Sequence, residues 1–148
     1  CNPNWSTKSI RPPTSYTSKV KELSMAFYKN TKPDPKAECF KQSNNVKCFE
    51  LDHLISLVLG GHPTDIKNLW VEPYYTEIDG RIVGARQKDV LELHLKKEVC
   101  EGNISLKQAQ NMLKNDWYKA WKKYKLDDKL GGLENELKIE TSQAEERV

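Results

Sequence analysis

The clearest hydrophobic pattern in the chain lies between residues 105 and 124. Apolar residues recur there every three or four positions, which is the spacing of one face of an α-helix. That face comprises Leu106, Ala109, Leu113, Trp117, Ala120 and Tyr124. Ser105 followed by Gln108 forms a capping-box pattern at its start. The pattern predicts a long helix over 105–124.

Two further helices are predicted upstream. Leu91, Leu95 and Val99 are four residues apart and favour a helix from Ala85 to Val99. A shorter apolar series over 20–27 favours a helix capped by Thr17 or Ser18 and ended by prolines after residue 31. Residues 1–16, rich in proline and serine, are predicted to be an extended lead-in.

The middle of the chain has strand and turn signals. Cys39 and Cys48 flank a polar segment typical of a hairpin tip, whose second strand is predicted over 47–55. A loop over 60–67 and a short return segment over 68–71 follow, and 74–84 is predicted to be irregular. We therefore expect one α+β domain over residues 17–125 and a charged C-terminal tail over 126–148.

Charge is distributed unevenly along the 148 residues. The formal net charge is +3, but residues 126–148 hold seven acidic and three basic residues, a net charge of −4. The rest of the chain therefore carries +7, which suits a phosphate-rich partner such as a nucleic acid. No apolar run approaches the roughly 20 residues of a membrane-spanning helix.

The four cysteines predict disulfides. There is no C-x-x-C pair typical of a zinc ribbon, and we favour Cys39–Cys48 and Cys1–Cys100 bridges over free thiols. Two bridges imply an oxidising compartment, so a secreted or periplasmic protein is expected. A removed signal peptide would explain the start at Cys1, as would lipid anchoring of that cysteine or a truncation.

Candidate chemistry is concentrated in one segment. Asp52 and His53 are adjacent, Gly60-Gly61 marks a turn, and Asn68 lies fifteen residues after the histidine. A carboxylate can hold a hard divalent cation, an imidazole can take a proton from water, and an asparagine can hold the imidazole or brace its loop. The alternative is a capping aspartate beside a surface histidine, with Asn68 in an Asx turn.

The segment ELDHLISLVLGGHPTDIKNLWVEPY, followed by ARQKDVLELHLKKEVCEGNISLKQAQNMLKNDWYKAW, resembles a secreted bacterial branch of the HNH endonucleases. The resemblance covers about residues 10–124. It implies a ββα-metal (His-Me finger) core with flanking helices and one divalent ion, Mg²⁺ or else Mn²⁺ or a similar ion. It also implies that Asp52 is a metal ligand, His53 the general base and Asn68 the central asparagine.

One position departs from that family. Ala85 stands where the last HNH residue, a metal ligand, is expected, and alanine cannot bind metal. Asp89 and Glu92 are candidate replacements, directly or through water, and Lys88 is a candidate contact for the scissile phosphate. The alternative for these three is an exposed, salt-bridged helix face.

Four other residues have weaker claims. Glu50 shares a strand face with Asp52 and either supports the ligands or is a plain strand glutamate. His62 is predicted to be an exposed loop residue, His94 a packing residue of its helix, and Trp70 part of the core.

The predicted function is metal-dependent hydrolysis of DNA with low sequence specificity, since no base-reading array is evident; RNA is a further substrate class. The alternative is a catalytically impaired nucleic-acid-binding module of the same fold. The chain is expected to be a monomer. A toxin role with an inhibitor or immunity protein and a role in nutrient acquisition both fit the same chemistry.

Overall fold

The computed structural model describes residues 1–29, 38–39 and 45–126, without the side chains of residues 28 and 29. In this part of the chain three helices and two small antiparallel sheets form an α+β fold. The elements are α1 (Thr14–Lys29), β1 (Phe49–His53), β2 (Leu69–Pro73), β3 (Thr76–Ile78), β4 (Arg81–Val83), α2 (Ala85–Cys100) and α3 (Leu106–Lys123). Of the predicted tail, only Leu126 lies within the described residues, and it is buried.

The main core lies between α2 and α3, as the periodicity predicts. Leu91 and Leu95 of α2 are fully buried and belong to the same apolar cluster as Ala109, Leu113 and Trp121 of α3. Burying a leucine side chain contributes about 2 kcal/mol, so this pairing anchors α2 against the rest of the fold.

The start of α3 is also confirmed, but its predicted continuity is wrong. Ser105 Oγ accepts a hydrogen bond from Gln108 N (3.1 Å), and Gln108 Oε1 accepts one from Ser105 N (2.8 Å). Asp116, however, has non-helical dihedral angles (φ −163°, ψ 85°). Its Oδ1 accepts a hydrogen bond from Lys119 N (3.0 Å), so Asp116 caps a second helical segment after a kink.

The predicted start of α1, after a cap at Thr17 or Ser18, is four or five residues too late. The carbonyl of Pro13 accepts hydrogen bonds from the backbone N–H groups of Tyr16 and Thr17, so helical bonding begins at Thr14. The lead-in predicted over 1–16 therefore includes the first turn of α1. It also contains a 3-10 turn, Thr7–Ser9, capped by the side chain of Ser6.

Strand β1 is shorter than predicted. It pairs with β2 in antiparallel register, with Glu50 opposite Glu72 and Asp52 opposite Trp70. Residues 46–48 form a 3-10 turn and not the start of the strand. The proposed hairpin tip at 40–44 lies outside the described residues. The predicted return segment is realised as β2, so the two strands that frame the loop after His53 pair with each other.

The segment predicted to be irregular contains a hairpin. Strands β3 and β4 are joined by Asp79 and Gly80, both with positive φ (53° and 75°). Asp-Gly is a preferred pair for the tight turn of a two-residue hairpin. The sequence EIDGRIV carried this signal, and the prediction overlooked it.

Both predicted disulfides are confirmed. Cys1 is bonded to Cys100, the last residue of α2, and Cys39 to Cys48. Two disulfides fit an oxidising environment, extracellular or periplasmic. Within the described residues, no helix has the length and apolar character needed to cross a membrane.

Candidate functional site

A cavity of about 420 Å³ lies where the N-terminal segment and α1 face β1 and α2. Asp52 and His53 line it from the end of β1, and Asp89 and Glu92 line it from α2. The cavity therefore brings together four residues that the sequence singled out. Asn68 and Lys88 are not part of its lining.

Three carboxylates converge in this cavity. One oxygen from each of Glu50, Asp52 and Asp89 can be chosen so that all three lie within 4.8 Å of one another. Glu50 and Asp52 are two residues apart on β1 and so share a strand face. Carboxylate oxygens are the protein ligands that hard divalent cations prefer. The group contains the predicted ligands Asp52 and Asp89, together with Glu50, for which the sequence allowed only a supporting role.

The same crowding changes the acidity of these groups. Burial, followed by the charges of Asp89 and Asp52, raises the pKa of Glu50 to about 7. Burial and then the charge of Asp52 raise the pKa of Asp89 to about 6. The two carboxyl groups therefore hold protons more tightly than usual, because their negative charges are close together and partly removed from water.

Glu92 lies beside this group but is engaged elsewhere. Its Oε1 accepts a hydrogen bond from Lys88 Nζ at 2.5 Å. Burial raises its pKa to about 7 against the opposing effect of the Lys88 charge. Glu92 is therefore a partner of Lys88, and the ligand role predicted for it stays a prediction.

Lys88 is a buried structural cation. Its side chain is 0% exposed, and Nζ donates to Asp52 Oδ2 (2.6 Å), to the carbonyl of His53 (2.9 Å) and to Glu92. Burial acts to lower the pKa of Lys88, but the charges of Asp52 and Glu92 and the hydrogen bonds to them raise it above its ordinary value. An ammonium group has three N–H donors, and all three are used. The predicted contact between Lys88 and a scissile phosphate is therefore replaced by a contact that fixes Asp52.

Glu72 is a buried carboxyl group beside Asp52 that sequence reasoning missed. It is 1% exposed and lies opposite Glu50 on β2. Burial and then the negative charge of Asp52 raise the pKa of Glu72 well above its ordinary value, which favours the protonated form. Glu72 lies beside Asp52 because of the β1–β2 register. The available sequence signal was the alternation of side chains along β2, which places Glu72 on the same strand face as Trp70.

His53 is oriented by one backbone contact. Its Nε2 lies 2.9 Å from the carbonyl oxygen of Pro63. A carbonyl oxygen only accepts, so Nε2 carries the proton and Nδ1 is the unprotonated nitrogen of the neutral ring. This tautomer leaves Nδ1 able to take a proton.

Asn68 braces the loop between His53 and β2. Its Oδ1 accepts from Ile55 N (2.8 Å), and its Nδ2 donates to the carbonyls of Ile55 and His62 (both 3.0 Å). Of the two roles considered for this asparagine, holding the ring or bracing the loop, these contacts correspond to the second. The brace positions Pro63, whose carbonyl in turn orients His53.

The brace requires a glycine at position 61. A Cβ at Gly61 would lie 1.7 Å from the Ile55 carbonyl oxygen and 2.9 Å from Asn68 Nδ2. We expect Gly61→Ala to lower the free energy of unfolding by about 3 kcal/mol, since backbone and not a flexible side chain must move. Urea unfolding checks this, with Gly80→Asn as the control, because nothing lies within 4 Å there and asparagine tolerates positive φ. Equal losses in the two variants would contradict the account of the brace.

The remaining candidates lie apart from the carboxylates. Ala85 is buried at the first position of α2 and offers no ligand. His62 is exposed, and its Nδ1 accepts from the N–H groups of Thr64 and Asp65, consistent with a loop residue. The ring of His94 packs on that of Tyr124 at 4.5 Å, as predicted for a packing histidine. Trp70 is partly buried rather than part of the main core.

The raised pKa values predict how metal-free stability depends on pH. The folded-state pKa of Glu50 is about 7 against an ordinary 4.5, and that of Asp89 about 6 against 3.8. The folded state therefore binds more protons than the unfolded state between these values, and this contribution to stability is lost as pH rises through about 6 to 7. Divalent cations should consequently stabilise the protein more at about pH 8 than at about pH 5.

The measurement is the thermal midpoint in EDTA and in Mn²⁺ at the two pH values. The Glu50→Gln, Asp89→Asn double variant is the control, and it should lose most of the Mn²⁺ effect. A Mn²⁺ shift in the native sequence that is as large at the lower pH would contradict the carboxylate site.

No protein-family model, curated protein or solved structure matches this chain.

Proposed function

We propose that the protein is a metal-dependent endonuclease that hydrolyses nucleic-acid phosphodiester bonds, DNA foremost. The observation that carries the proposal is the position of His53, fixed in the tautomer with a basic Nδ1, in the same cavity as three converging carboxylates. A positioned base and a site for a hard cation are the two requirements for activating water against a phosphodiester.

Glu50, Asp52 and Asp89 would hold the divalent cation, and their oxygen-only donor set fits Mg²⁺ or Mn²⁺. When bound, such an ion offsets the negative charge that develops on the phosphate in the transition state. Lys88 keeps Asp52 oriented towards its neighbours on β1 and α2 by binding the carboxylate and the next residue's carbonyl at once. These contacts reduce the reorganisation needed when the ion and the substrate enter.

His53 supplies the proton transfer. Nδ1 takes a proton from a water molecule as the water oxygen forms a bond to phosphorus, and the bond from phosphorus to the leaving sugar oxygen breaks. The leaving oxygen gains a proton from solvent, so water and a diester become a phosphate monoester and a hydroxyl group. The hydrogen bond from Nε2 to the Pro63 carbonyl stabilises the imidazolium while it carries the extra proton.

The arrangement of elements supports an HNH-type interpretation. The strand β1, which pairs with β2, and the helix α2 supply the residues of the proposed cation site, with His53 at the end of β1 and Asp89 on the helix. Ala85 removes the ligand expected at the helix start, and in this proposal Glu50 and Asp89 make up the ligand set in its place. The net charge of +7 over residues 1–125 supports a polyanionic substrate.

The test is incubation of the full chain with supercoiled plasmid in Mg²⁺, in Mn²⁺ and in EDTA. We expect nicking that requires the cation and that Asp52→Asn abolishes. Asp79→Asn is the matched control, since it removes an exposed carboxylate at a turn that tolerates asparagine. Plasmid that stays intact with every cation would contradict the proposal and favour a nucleic-acid-binding module without catalysis.

A further inference from the structure

The wall of the cavity opposite the carboxylates is built from the N-terminal segment and the first turns of α1. Its lining residues include Thr7, Arg11, Thr14, Thr17, Ser18 and Lys21. Two of these are cations, whereas the facing residues of β1 and α2 include four carboxylates, Glu50, Asp52, Asp89 and Glu92. The cavity therefore separates a cationic wall from an anionic one.

Arg11 and Lys21 line the same cavity as Glu50 and Asp89. No ion pair within 4.0 Å joins either cation to these two carboxylates in the described part of the chain. The opposite charges thus face each other across the cavity without closing it.

The cationic wall is attached to the loop that orients His53. Tyr16 Oη donates a hydrogen bond to the carbonyl of Thr64 (2.9 Å), the residue after the Pro63 that orients His53. The Cys1–Cys100 disulfide ties the start of the chain to the end of α2. Arg11 Nε donates a hydrogen bond to Thr7 Oγ1 (3.1 Å). This contact fixes the side chain and leaves the two terminal nitrogens of the guanidinium to bind a ligand. Because it is tethered at these points, the cationic wall is preorganised before a ligand binds.

The formal charges of the side chains in and beside the cavity can be compared with those of its proposed ligands. The four carboxylates carry −4, and Arg11, Lys21 and the buried Lys88 carry +3. A divalent cation changes the sum from −1 to +1, and one phosphodiester group, with a single negative charge, returns it to zero. With a divalent cation bound, Arg11 and Lys21 leave the cavity with a net positive charge, which favours an anionic ligand such as a phosphodiester group.

We propose that residues 7–21 form the phosphate-binding wall of this site, with Arg11 and Lys21 contacting phosphate oxygens of a nucleic-acid strand. This inference rests on the proposed function, since it assigns the substrate contacts of the same cavity. Arginine can bind two oxygens of one phosphate, and lysine binds as a point charge, so neither contact reads the base.

The experiment measures binding of a fluorescein-labelled single-stranded deoxyoligonucleotide by anisotropy, in Mg²⁺ over a series of salt concentrations. The full chain carries His53→Ala so that the strand stays intact. Arg11→Gln and Lys21→Gln are compared with Lys114→Gln, an exposed lysine of α3 outside the cavity. Thermal midpoints confirm that each variant is folded.

We expect each cavity variant to weaken binding about tenfold, because a charge-assisted hydrogen bond is lost. Each should also reduce the slope of log affinity against log salt by about 0.7, the value for one phosphate contact on a single strand. Lys114→Gln should change neither quantity. Slopes and affinities in the cavity variants that match Lys114→Gln would overturn the inference, as would the absence of binding at low salt.

Failure of this inference and failure of the proposed function have different signatures. Reduced slopes in both variants, combined with a chain that cuts no plasmid in any cation, support the wall and contradict the nuclease. Metal-dependent cutting combined with unchanged slopes contradicts the wall and leaves the nuclease standing.

Discussion

Replacing His53 with alanine is expected to lower the rate constant for phosphodiester cleavage by about 10²- to 10⁴-fold. The ring is held by the Pro63 carbonyl so that Nδ1 is its basic nitrogen, and no other histidine lines the cavity. Binding of the cation should persist, because its proposed ligands are the carboxylates of other residues.

Single-turnover cleavage of a labelled oligonucleotide measures this loss, with Mn²⁺ binding followed by calorimetry. His94→Gln is the matched control, since this histidine packs on Tyr124 away from the cavity. Its rate should stay near that of the native sequence. A His53→Ala variant with a native rate would remove the general base from the mechanism. A variant that lost Mn²⁺ binding as well would indicate a structural role for the ring.

Replacing Lys88 with methionine is expected to lower the free energy of unfolding by about 3–5 kcal/mol at neutral pH. The substitution keeps much of the side-chain volume but leaves Asp52, Glu92 and the His53 carbonyl without their shared donor in a buried place. The loss should shrink as pH falls, because protonation of Glu92 removes one of the unpaired negative charges.

Urea unfolding with the disulfides intact, repeated at lower pH, tests this expectation. The control is Lys97→Met on the same helix, whose side chain is 69% exposed and lies 3.9 Å from Glu101. A surface pair of this kind is worth less than about 1 kcal/mol, so the control should stay close to the native stability. If the Lys88→Met variant were as stable as the Lys97→Met variant, the buried ammonium group would not be what holds the site together.

Local patterns predicted the helical part of the fold. The spacing of Leu91 and Leu95, and the Ser105–Gln108 cap, act within a few turns of one helix, so they can be read from the sequence. The kink at Asp116 could not, because a helix interrupted there and a continuous one share the same apolar spacing. The early start of α1 depends on a carbonyl of Pro13 that no periodic pattern marks.

The candidate site was only partly predictable because strand pairing brings together residues that are far apart in the sequence. Asp52 and His53 could be named from residue type and spacing, and Asp89 from its place one helical turn after Ala85, where the HNH resemblance implies a ligand. The places of Glu50 and Glu72 depend on the register between β1 and β2, which the intervening loop and its Asn68 brace determine. The role of Lys88 depends on complete burial of its ammonium group. A lysine on a charged helix face is ordinarily exposed to solvent, so the sequence did not indicate this burial.

In the proposed site, Glu50, Asp52 and Asp89 together hold one divalent cation beside His53. Anomalous diffraction from crystals grown with Mn²⁺ tests it most directly. The account predicts a single peak in the cavity, at about 2.1 Å from oxygens of these carboxylates, with Lys88 still bound to Asp52. A cavity without a peak, or a peak bound by Glu92 in place of Glu50, would contradict it.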